Sequence, residues 1–335
     1  MFVVTSLPVA ILFCIVTMLG WGSWANTQKL AGKEKWPFEL FYWDYAIGVF
    51  LFGLLFAATL GSFGIAGAAA LENARAADMA FVWPALISGV LFNLSNILLV
   101  VGIDAAGMSV AFPVGVGLAL VIGTVESYVE TPKGDPALLF IGVALIVLAM
   151  VLSALAYRRL PSGGVRKPLR GVIYSAIAGS LMGFFYPQLI RSISPRFNTS
   201  VIQPGMLTPY VALVCFGAGV LASNIVWNTL FMRAGKVTYA DYFRGSARLH
   251  AIGVLGGAIW MMALSFNVIA SGVAGPAISY ALGQGATLVA AIWGVFIWKE
   301  FAAAPAGTGK LLAAMLAGYA LGLLFIGAAT TLQGT

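Results

Sequence analysis

The chain has 335 residues, of which 61% are hydrophobic and only 9% are charged. A soluble globular domain carries about 25% charged residues, so this composition excludes a large soluble protein. The net charge of +7 does not indicate a nucleic-acid partner, because the basic residues lie in short stretches between long apolar runs.

Apolar runs follow one another along the whole chain, and each is long enough to cross a bilayer core of roughly 30 Å. We predict ten spans, at residues 7–28, 39–61, 80–103, 108–129, 137–157, 171–191, 208–232, 248–269, 272–298 and 309–330. The runs are continuous and do not alternate with a period of two. The predicted fold class is therefore an all-α polytopic membrane protein with ten transmembrane helices.

The positive charges are distributed unequally between the two ends of these spans. Of the 18 lysines and arginines, only Arg75, Lys133, Arg191 and Arg196 lie at the end that carries the termini and the even-numbered loops. The others lie at the end with the loops after spans 1, 3, 5, 7 and 9, which we call the basic end. Basic loops stay in the cytoplasm, so we predict that both termini lie outside.

The two halves of the chain resemble each other weakly. The stretches "PVGVGLALVIGTVESYVE" (113–130) and "LGQGATLVAAIWGVFIWKE" (282–300) both contain a G-x-G motif, an apolar run and a terminal glutamate. Gln28 at the end of span 1 corresponds to Gln188 in span 6. Because five spans per half is an odd number, the second half would enter the membrane inverted, as in many transporters.

This internal similarity predicts the domain organisation. Residues 1–157 would form a first five-helix repeat, residues 158–170 a basic cytoplasmic linker, and residues 171–335 a second five-helix repeat. Substrate sites in such transporters lie at the interface between the repeats.

Four strings carry a family resemblance: "WGSWANTQKL", "ELFYWDYAIG", "GMSVAFPVGVGLAL" and "ISYALGQGATLVAAIWGVFIWKEF". With ten short spans in a 5+5 arrangement, the chain resembles the drug/metabolite transporter superfamily. Within it, the strings are similar to the bacterial glucose/ribose porter family, which includes rhamnose–proton symporter-like proteins, and they share features with plant ureide permeases. The resemblance implies alternating access, proton coupling and a multi-pass protein of the bacterial cytoplasmic (inner) membrane.

The end of span 1, "GWGSWANTQK" (20–29), concentrates aromatic and hydrogen-bonding side chains. Trp21, Trp24 and Gln28 share one helix face at spacings of three and four, and Asn26 lies beside them. One interpretation is a belt of tryptophans at the membrane interface. The other is a substrate site, because an apolar wall with a few placed polar groups suits a small polar solute.

Further polar side chains lie near mid-membrane. Asn93 and Asn96 in span 3 point into one sector, where they either hold helices together or contact substrate. Tyr280 and Gln284 share a face of span 9 beside glycines, and we predict that Gln284 contacts substrate. The other candidates are Gln188 in span 6, Trp260 in span 8, which could instead be core packing, and the set Asn224, Trp227 and Asn228 in span 7, which could face packing partners.

Intramembrane acids are few, and such groups are functional candidates by default. We predict that Asp44 in span 2 and Glu126 near the outer end of span 4 couple transport to protons, although Asp44 could instead anchor its helix at the interface. Glu130 and Glu300 close spans 4 and 9 and are interpreted as structural residues. His250 is interpreted as an interface residue.

The favoured function is uptake of a small polar solute by proton symport, with a monosaccharide of the ribose, rhamnose or glucose type as the substrate. The alternative is a ureide or nucleobase carrier of the same fold, and a multidrug or metabolite exporter is less favoured. One histidine, two separated cysteines and scattered acids supply no catalytic set, so no enzyme, cofactor or metal is predicted. The expected partners are the solute, protons and the lipid bilayer, without nucleic acid, and both a monomer and a homodimer stay open.

Overall fold

Helices make up most of the chain. The computed structural model describes residues 1–64, 66–106, 108–160, 168–198 and 201–330. In the first half the helices are α1 (Leu7–Ser23), α2 (Ala25–Lys33), α3 (Phe38–Ala58), α4 (Ala70–Ala76), α5 (Met79–Ala106), α6 (Met108–Glu130) and α7 (Pro136–Tyr157). In the second half they are α8 (Pro168–Arg191), α9 (Pro209–Gly235), α10 (Tyr239–Phe243), α11 (Ala247–Ala274), α12 (Pro276–Gly283), α13 (Ala286–Ile292), a π-helix (Trp293–Ile297) and α14 (Thr308–Ala328).

Nine helices within the described residues are long and apolar enough to cross a membrane. The all-α, multi-pass character predicted from the sequence is therefore confirmed. The first of these spans, Leu7–Lys33, joins α1 and α2, because Trp24 between them keeps helical dihedral angles (φ −56°, ψ −36°). The predicted fourth span is helical as α6 but is not among the nine, so the ten-helix repeat stays a prediction. The predicted linker lies outside the described residues over 161–167, as does the end of the second predicted repeat over 331–335.

Three of the spans begin at a capping side chain. Asp135, Thr208 and Ser246 each accept a hydrogen bond from the backbone N–H three residues later, at the starts of α7, α9 and α11. Proline follows the cap as Pro136 and Pro209, at a position where the missing N–H costs no intrahelical bond. These short signals fix the start of a span more sharply than hydropathy does.

The boundary between the eighth and ninth predicted spans is wrong by several residues. The sequence placed it between 269 and 272, but α11 continues to Ala274 and α12 begins at Pro276. Gly275 between them has φ +90°, a conformation that only glycine adopts without strain. Pro276, which the sequence placed inside a span, therefore starts one.

The helices pack in matching sets. α1 packs on α11 as α8 packs on α5, and α3 packs on α11 as α9 packs on α5. α12 and α13 contact α1 as α6 contacts α8, while α3 packs on α9 and α7 packs on α14. In the predicted repeat α1 corresponds to α8, α3 to α9, α5 to α11, and α6 to α12 with α13. Each contact between two helices therefore has a counterpart between the two corresponding helices.

Two glycines let α3 and α11 touch backbone to backbone. A Cβ atom at Gly48 would overlap the carbonyl oxygen of Val254, and one at Gly257 would overlap the carbonyl oxygen of Tyr45. Helices in lipid gain little from burying apolar side chains against one another, so small residues at the crossing supply the close packing.

The same arrangement recurs where α5 crosses α9. A Cβ atom at Gly219 would overlap the carbonyl oxygen of Leu86, and one at Gly89 would overlap the carbonyl oxygen of Phe216. In both crossings, each helix contributes a glycine and the carbonyl group of the residue three positions before that glycine. The two crossings are therefore built to one plan.

The contact between α7 and α14 is reciprocal as well. A Cβ atom at Gly142 would lie 2.5 Å from Cγ1 of Ile326, and one at Gly322 would lie 2.7 Å from Cγ1 of Ile146. On each of the two helices, an isoleucine of the facing helix thus packs against a glycine.

The close crossings predict different effects of a glycine-to-alanine substitution at two positions. Gly257→Ala should lower the melting temperature of the detergent-purified protein, because the new methyl group forces α3 and α11 apart. Gly327→Ala in α14, where no atom lies within 4 Å of the added Cβ, should leave it unchanged or raise it slightly, since alanine favours a helix by about 1 kcal/mol. If Gly257→Ala and Gly327→Ala change the melting temperature equally, the close backbone contact between α3 and α11 is contradicted.

Candidate functional site

Aromatic rings from six helices meet at the centre of the bundle. Trp260 lies at their middle, with its ring centroid 4.1 Å from Phe92, 5.7 Å from Phe216 and 5.8 Å from Trp21. The Trp260 side chain is only 6% exposed. The complete set, which we call the central aromatic cluster, is Trp21, Phe92, Phe185, Phe216, Trp260 and Tyr280. Three of the predicted site residues, in α1, α11 and α12, are thus brought together.

A cavity of about 660 Å³ lies at the basic end, and its lining begins at Gly22, next to Trp21 of this cluster. Its walls are the end of α1, α2, the end of α7, the segment from α13 through the π-helix, and α14. The volume is within the range of about 300–1,000 Å³ that small-molecule pockets occupy. The polar and aromatic lining comprises Asn26, Gln28, Lys29, Lys33, Ser153, Tyr157, Thr287, Trp293, Trp298, Glu300 and Tyr319.

An ion pair crosses the wall of this cavity. Lys29 Nζ lies 2.5 Å from Glu300 Oε1, and the Tyr157 hydroxyl donates a hydrogen bond to Glu300 Oε2 over 2.7 Å. The Lys29 ammonium also lies 4.4 Å from the ring centroid of Trp298. Sequence analysis did not find this group. Its members lie at the ends of three different spans, and the sequence does not show which span ends are neighbours in the fold.

The residues of "GWGSWANTQK" do not form a single wall. Trp21 belongs to the central aromatic cluster and donates its indole N–H to the carbonyl oxygen of Trp260 over 3.3 Å. Trp24 packs instead on the ring of Tyr45 at 4.9 Å. Asn26 and Gln28 line the cavity, and Asn26 Oδ1 accepts a hydrogen bond from the Trp298 indole over 2.6 Å. The stretch therefore connects the bundle centre with the cavity.

Two predicted site residues lie at the opposite end of the bundle. Arg191 at the end of α8 forms an ion pair with Glu130, lies 3.8 Å from Glu126 Oε2 and donates a hydrogen bond to Gln188 Oε1 over 3.0 Å. Gln188 and Glu126 are therefore together, but they are apart from Gln28 and Asp44. The Glu126 side chain is 36% exposed.

The asparagines of α5 bridge helices. Asn93 Nδ2 donates hydrogen bonds to Ser223 Oγ over 2.9 Å and to the Val220 carbonyl over 3.3 Å. Asn96 Nδ2 donates to the hydroxyl of Tyr42 over 3.2 Å. Both side chains thus link α5 to a neighbouring helix, while the Asn93 oxygen has no partner within the described residues.

Asn224 on α9 is different. Its side chain is fully buried, and neither its nitrogen nor its oxygen has a hydrogen-bond partner within the described residues. The buried hydroxyl of Tyr45 on α3 is likewise without a partner there. Buried polar groups are costly when they lack partners, so these two mark positions where a water molecule or a solute would satisfy them.

Gln284 lies at a break in the ninth predicted span. It follows the end of α12 and precedes the start of α13, and its side chain is 9% exposed. Trp21 packs against the adjacent Gly283, where a Cβ atom would lie 2.8 Å from the indole ring. The Gln284 backbone N–H still donates a hydrogen bond to the Tyr280 carbonyl over 3.0 Å. Gln284 therefore lies beside Tyr280 and Trp21 of the central aromatic cluster.

Asp44 is almost completely buried, with 2% of its side chain exposed. Its carboxylate accepts a hydrogen bond from the Tyr242 hydroxyl over 2.6 Å, and both of its oxygens lie 3.0 Å from His250 Nδ1. The two predicted coupling carboxylates, Asp44 and Glu126, therefore differ strongly in burial. No pattern in the sequence indicates the contact between Asp44 and His250.

Comparison with known proteins supports the fold. No protein-family model matches the chain, and no curated protein matches it. Sixteen chains of solved structures do match. One of them, a crystal structure of a protein, has a TM-score of 0.62 at 18% sequence identity and covers 98% of this chain and 100% of that chain. At this level of identity the likeness shows a shared fold along nearly the whole chain.

The cavity predicts selective labelling by a water-soluble thiol reagent. In a variant without Cys14 and Cys215, Ser153→Cys should react, because Ser153 lines the cavity. Ser95→Cys should not react, because Ser95 is fully buried and bonded to the Ala178 carbonyl. With a membrane-impermeant reagent, labelling of Ser153→Cys should be strong in inverted vesicles and weak in right-side-out vesicles. The reverse pattern would place the basic end outside.

Proposed function

We propose that the protein is a secondary transporter of a small polar solute, built as ten spanning helices in a five-plus-five inverted repeat. One observation carries this proposal: a cavity of the size of a small solute lies at the basic end of the bundle, and its lining begins at Gly22, next to Trp21 of the central aromatic cluster. A site that is open towards one side of the membrane and closed towards the other is what alternating access requires. The reciprocal glycine crossings support the repeat.

The two end ion pairs support alternating access. Lys29 pairs with Glu300 at the basic end, and Arg191 pairs with Glu130 at the opposite end. In each pair the cation closes the first span of one predicted half and the glutamate closes the fourth span of the other half. We call these pairs the end latches, and each one links the two predicted halves at its own end of the bundle.

Each end latch contributes little stabilisation, which suits contacts that change during transport. The side chains are 25% to 51% exposed, and ion pairs with access to water contribute about 0–1 kcal/mol. Latches of this strength bias the balance between two states without locking either one.

The solute we favour is a monosaccharide. The cavity and the central aromatic cluster combine indole rings with neutral amide groups, including those of Asn26, Gln28 and Gln284, and this chemistry suits hydroxyl groups on a small ring. A ureide or nucleobase would use the same groups and is the second candidate. An exporter of apolar drugs is less favoured, and an enzymatic function is not proposed.

We further propose that the driving ion is a proton and that Asp44 is the coupling carboxylate. Asp44 is buried, whereas Glu126 is partly exposed and lies beside Arg191. A buried carboxylate changes its solvation most when it gains or loses a proton. This favours Asp44 over Glu126.

Reconstitution tests the function. The purified protein in liposomes should take up at least one compound from a panel of pentoses, hexoses, deoxyhexoses, allantoin and nucleobases, and should accumulate it when the outside is more acidic than the lumen. Accumulation of allantoin or a nucleobase alone would select the second candidate. The absence of uptake and of exchange for every compound would contradict the proposed substrate classes.

The end latches predict opposite conformational shifts from equivalent substitutions. Glu300→Gln removes the charge of the basic-end latch and should increase thiol labelling of cavity cysteines at that end. Glu130→Gln removes the charge of the other latch and should decrease it. The double variant Lys29→Glu/Glu300→Lys, which restores the pair in reverse, should return labelling towards the wild-type level. Identical shifts in the two single variants would rule out alternation.

A further inference from the structure

At the basic end, the buried carboxylate of Asp44 contacts the partly exposed imidazole of His250. Asp44 lies in the second turn of α3 and is 2% exposed, whereas the side chain of His250 in the first turns of α11 is 27% exposed. His250 Nδ1 faces the carboxylate at 3.0 Å from each oxygen. A Cβ atom at Gly253 would collide with the Asp44 side chain, so glycine at that position lets the two helices bring this pair together.

The outer side of the His250 ring faces the loop that precedes α11. A Cβ atom at Gly245 would lie 2.7 Å from His250 Nε2, so this nitrogen packs closely on the glycine. The edge of the Trp36 ring packs on the imidazole at 5.6 Å between centroids. Nδ1 thus contacts the buried carboxylate, while 27% of the His250 side chain is exposed at the basic end.

The other charged and titratable groups around Asp44 have their own partners. Arg248 on α11 pairs with Glu34 at 3.0 Å. On α10, Asp241 accepts hydrogen bonds from the backbone and side chain of Thr238. The side chain of Glu39 on α3 lies against Gly235 on α9. Among the described residues, His250 is the basic side chain for which an ion pair with Asp44 is formed.

Tyr242 on α10 completes the group as a hydrogen-bond donor. Its burial, and then its hydrogen bond with the Asp44 carboxylate, raise the pKa of the Tyr242 hydroxyl well above its usual range. The hydroxyl therefore stays protonated and holds one carboxylate oxygen in place. It positions Asp44 and does not itself carry the proton.

We propose that His250 is the proton-exchange residue of the carrier, passing protons between water at the basic end and Asp44. This rests on the proposed proton-coupled transport. A proton taken from water by Nε2 converts neutral imidazole to imidazolium. The proton on Nδ1 then passes to a carboxylate oxygen of Asp44, leaving neutral imidazole and a neutral carboxylic acid. The reverse sequence returns the proton to water, and histidine is suited to it because both ring nitrogens exchange protons near neutral pH.

Chemical rescue tests the relay in liposomes. His250→Ala should slow uptake driven by a pH gradient at least tenfold and should leave exchange of solute against solute unchanged, because exchange needs no net proton transfer. Imidazole added on the side of the basic end should restore most of the driven uptake in His250→Ala. It should not do so in Asp44→Asn, which lacks the proton acceptor. Arg248→Ala, on the same helix but paired with Glu34, is the matched control and should behave like the wild type.

A second measurement does not depend on transport. His250 is the only histidine of the chain, so a protein labelled with ¹⁵N in its histidine ring gives the signals of one imidazole. In the wild type the Nδ1 signal should have the position of a ring nitrogen that is hydrogen-bonded to a carboxylate, because Nδ1 lies 3.0 Å from both Asp44 oxygens. Asp44→Asn should move this signal, and Tyr242→Phe should leave it in place.

The outcomes separate the two proposals. Normal pH-driven uptake by His250→Ala, or an Nδ1 signal that Asp44→Asn leaves unchanged, would overturn the relay even if the protein transports sugars. A carboxylate-bonded Nδ1 signal in a wild-type protein that moves no compound of the panel would support the proton site and would contradict the proposed substrates instead.

Discussion

The rest of the structure depends on four glycines that let helices approach until their backbones touch. At Gly48 and Gly257, and again at Gly89 and Gly219, a single added carbon would overlap a carbonyl oxygen of the facing helix. A membrane supplies little hydrophobic drive for helix association, so close packing of this kind holds the bundle together. Phe92 on α5 and Trp260 on α11 each follow one of these glycines by three residues, and their rings pack against each other at the bundle centre.

This arrangement explains why the polar groups divide into separate regions. The rings around Trp260 close the centre, the cavity with Gln28 lies towards the basic end, and Arg191 with Glu130 closes the opposite end. If the two halves exchange roles, as the reciprocal helix contacts suggest, then opening one end and closing the other requires no new contact type. The proposed proton site at Asp44 lies at the end where the cavity opens, which is where protons and solute would enter or leave together.

Much of the fold could be predicted from the sequence, because the hydropathy and length of a span depend only on nearby residues. The span boundary at Gly275 could not, since its position depends on a backbone conformation that apolar composition does not report. The burial of Asp44 followed from its place in span 2, but its partner His250 is 206 residues away, and only the crossing of α3 and α11 brings them together. In the same way, Lys29 and Glu300 were visible as charges at span ends, but their pairing depends on the packing of α1 against α13.

The central claim is that the two ends of the bundle open in alternation, and paired distance measurements test it most directly. One pair of spin labels would be placed at the basic end through Gly32→Cys and Gly309→Cys, where an added Cβ meets no atom within 4 Å. A second pair would be placed at the opposite end through Ala137→Cys and Pro195→Cys, both exposed. In lipid nanodiscs at acidic and neutral pH, the account predicts that a population with a longer distance at one end has a shorter distance at the other. Distances that lengthen together at both ends, or that do not change at either end, would contradict it.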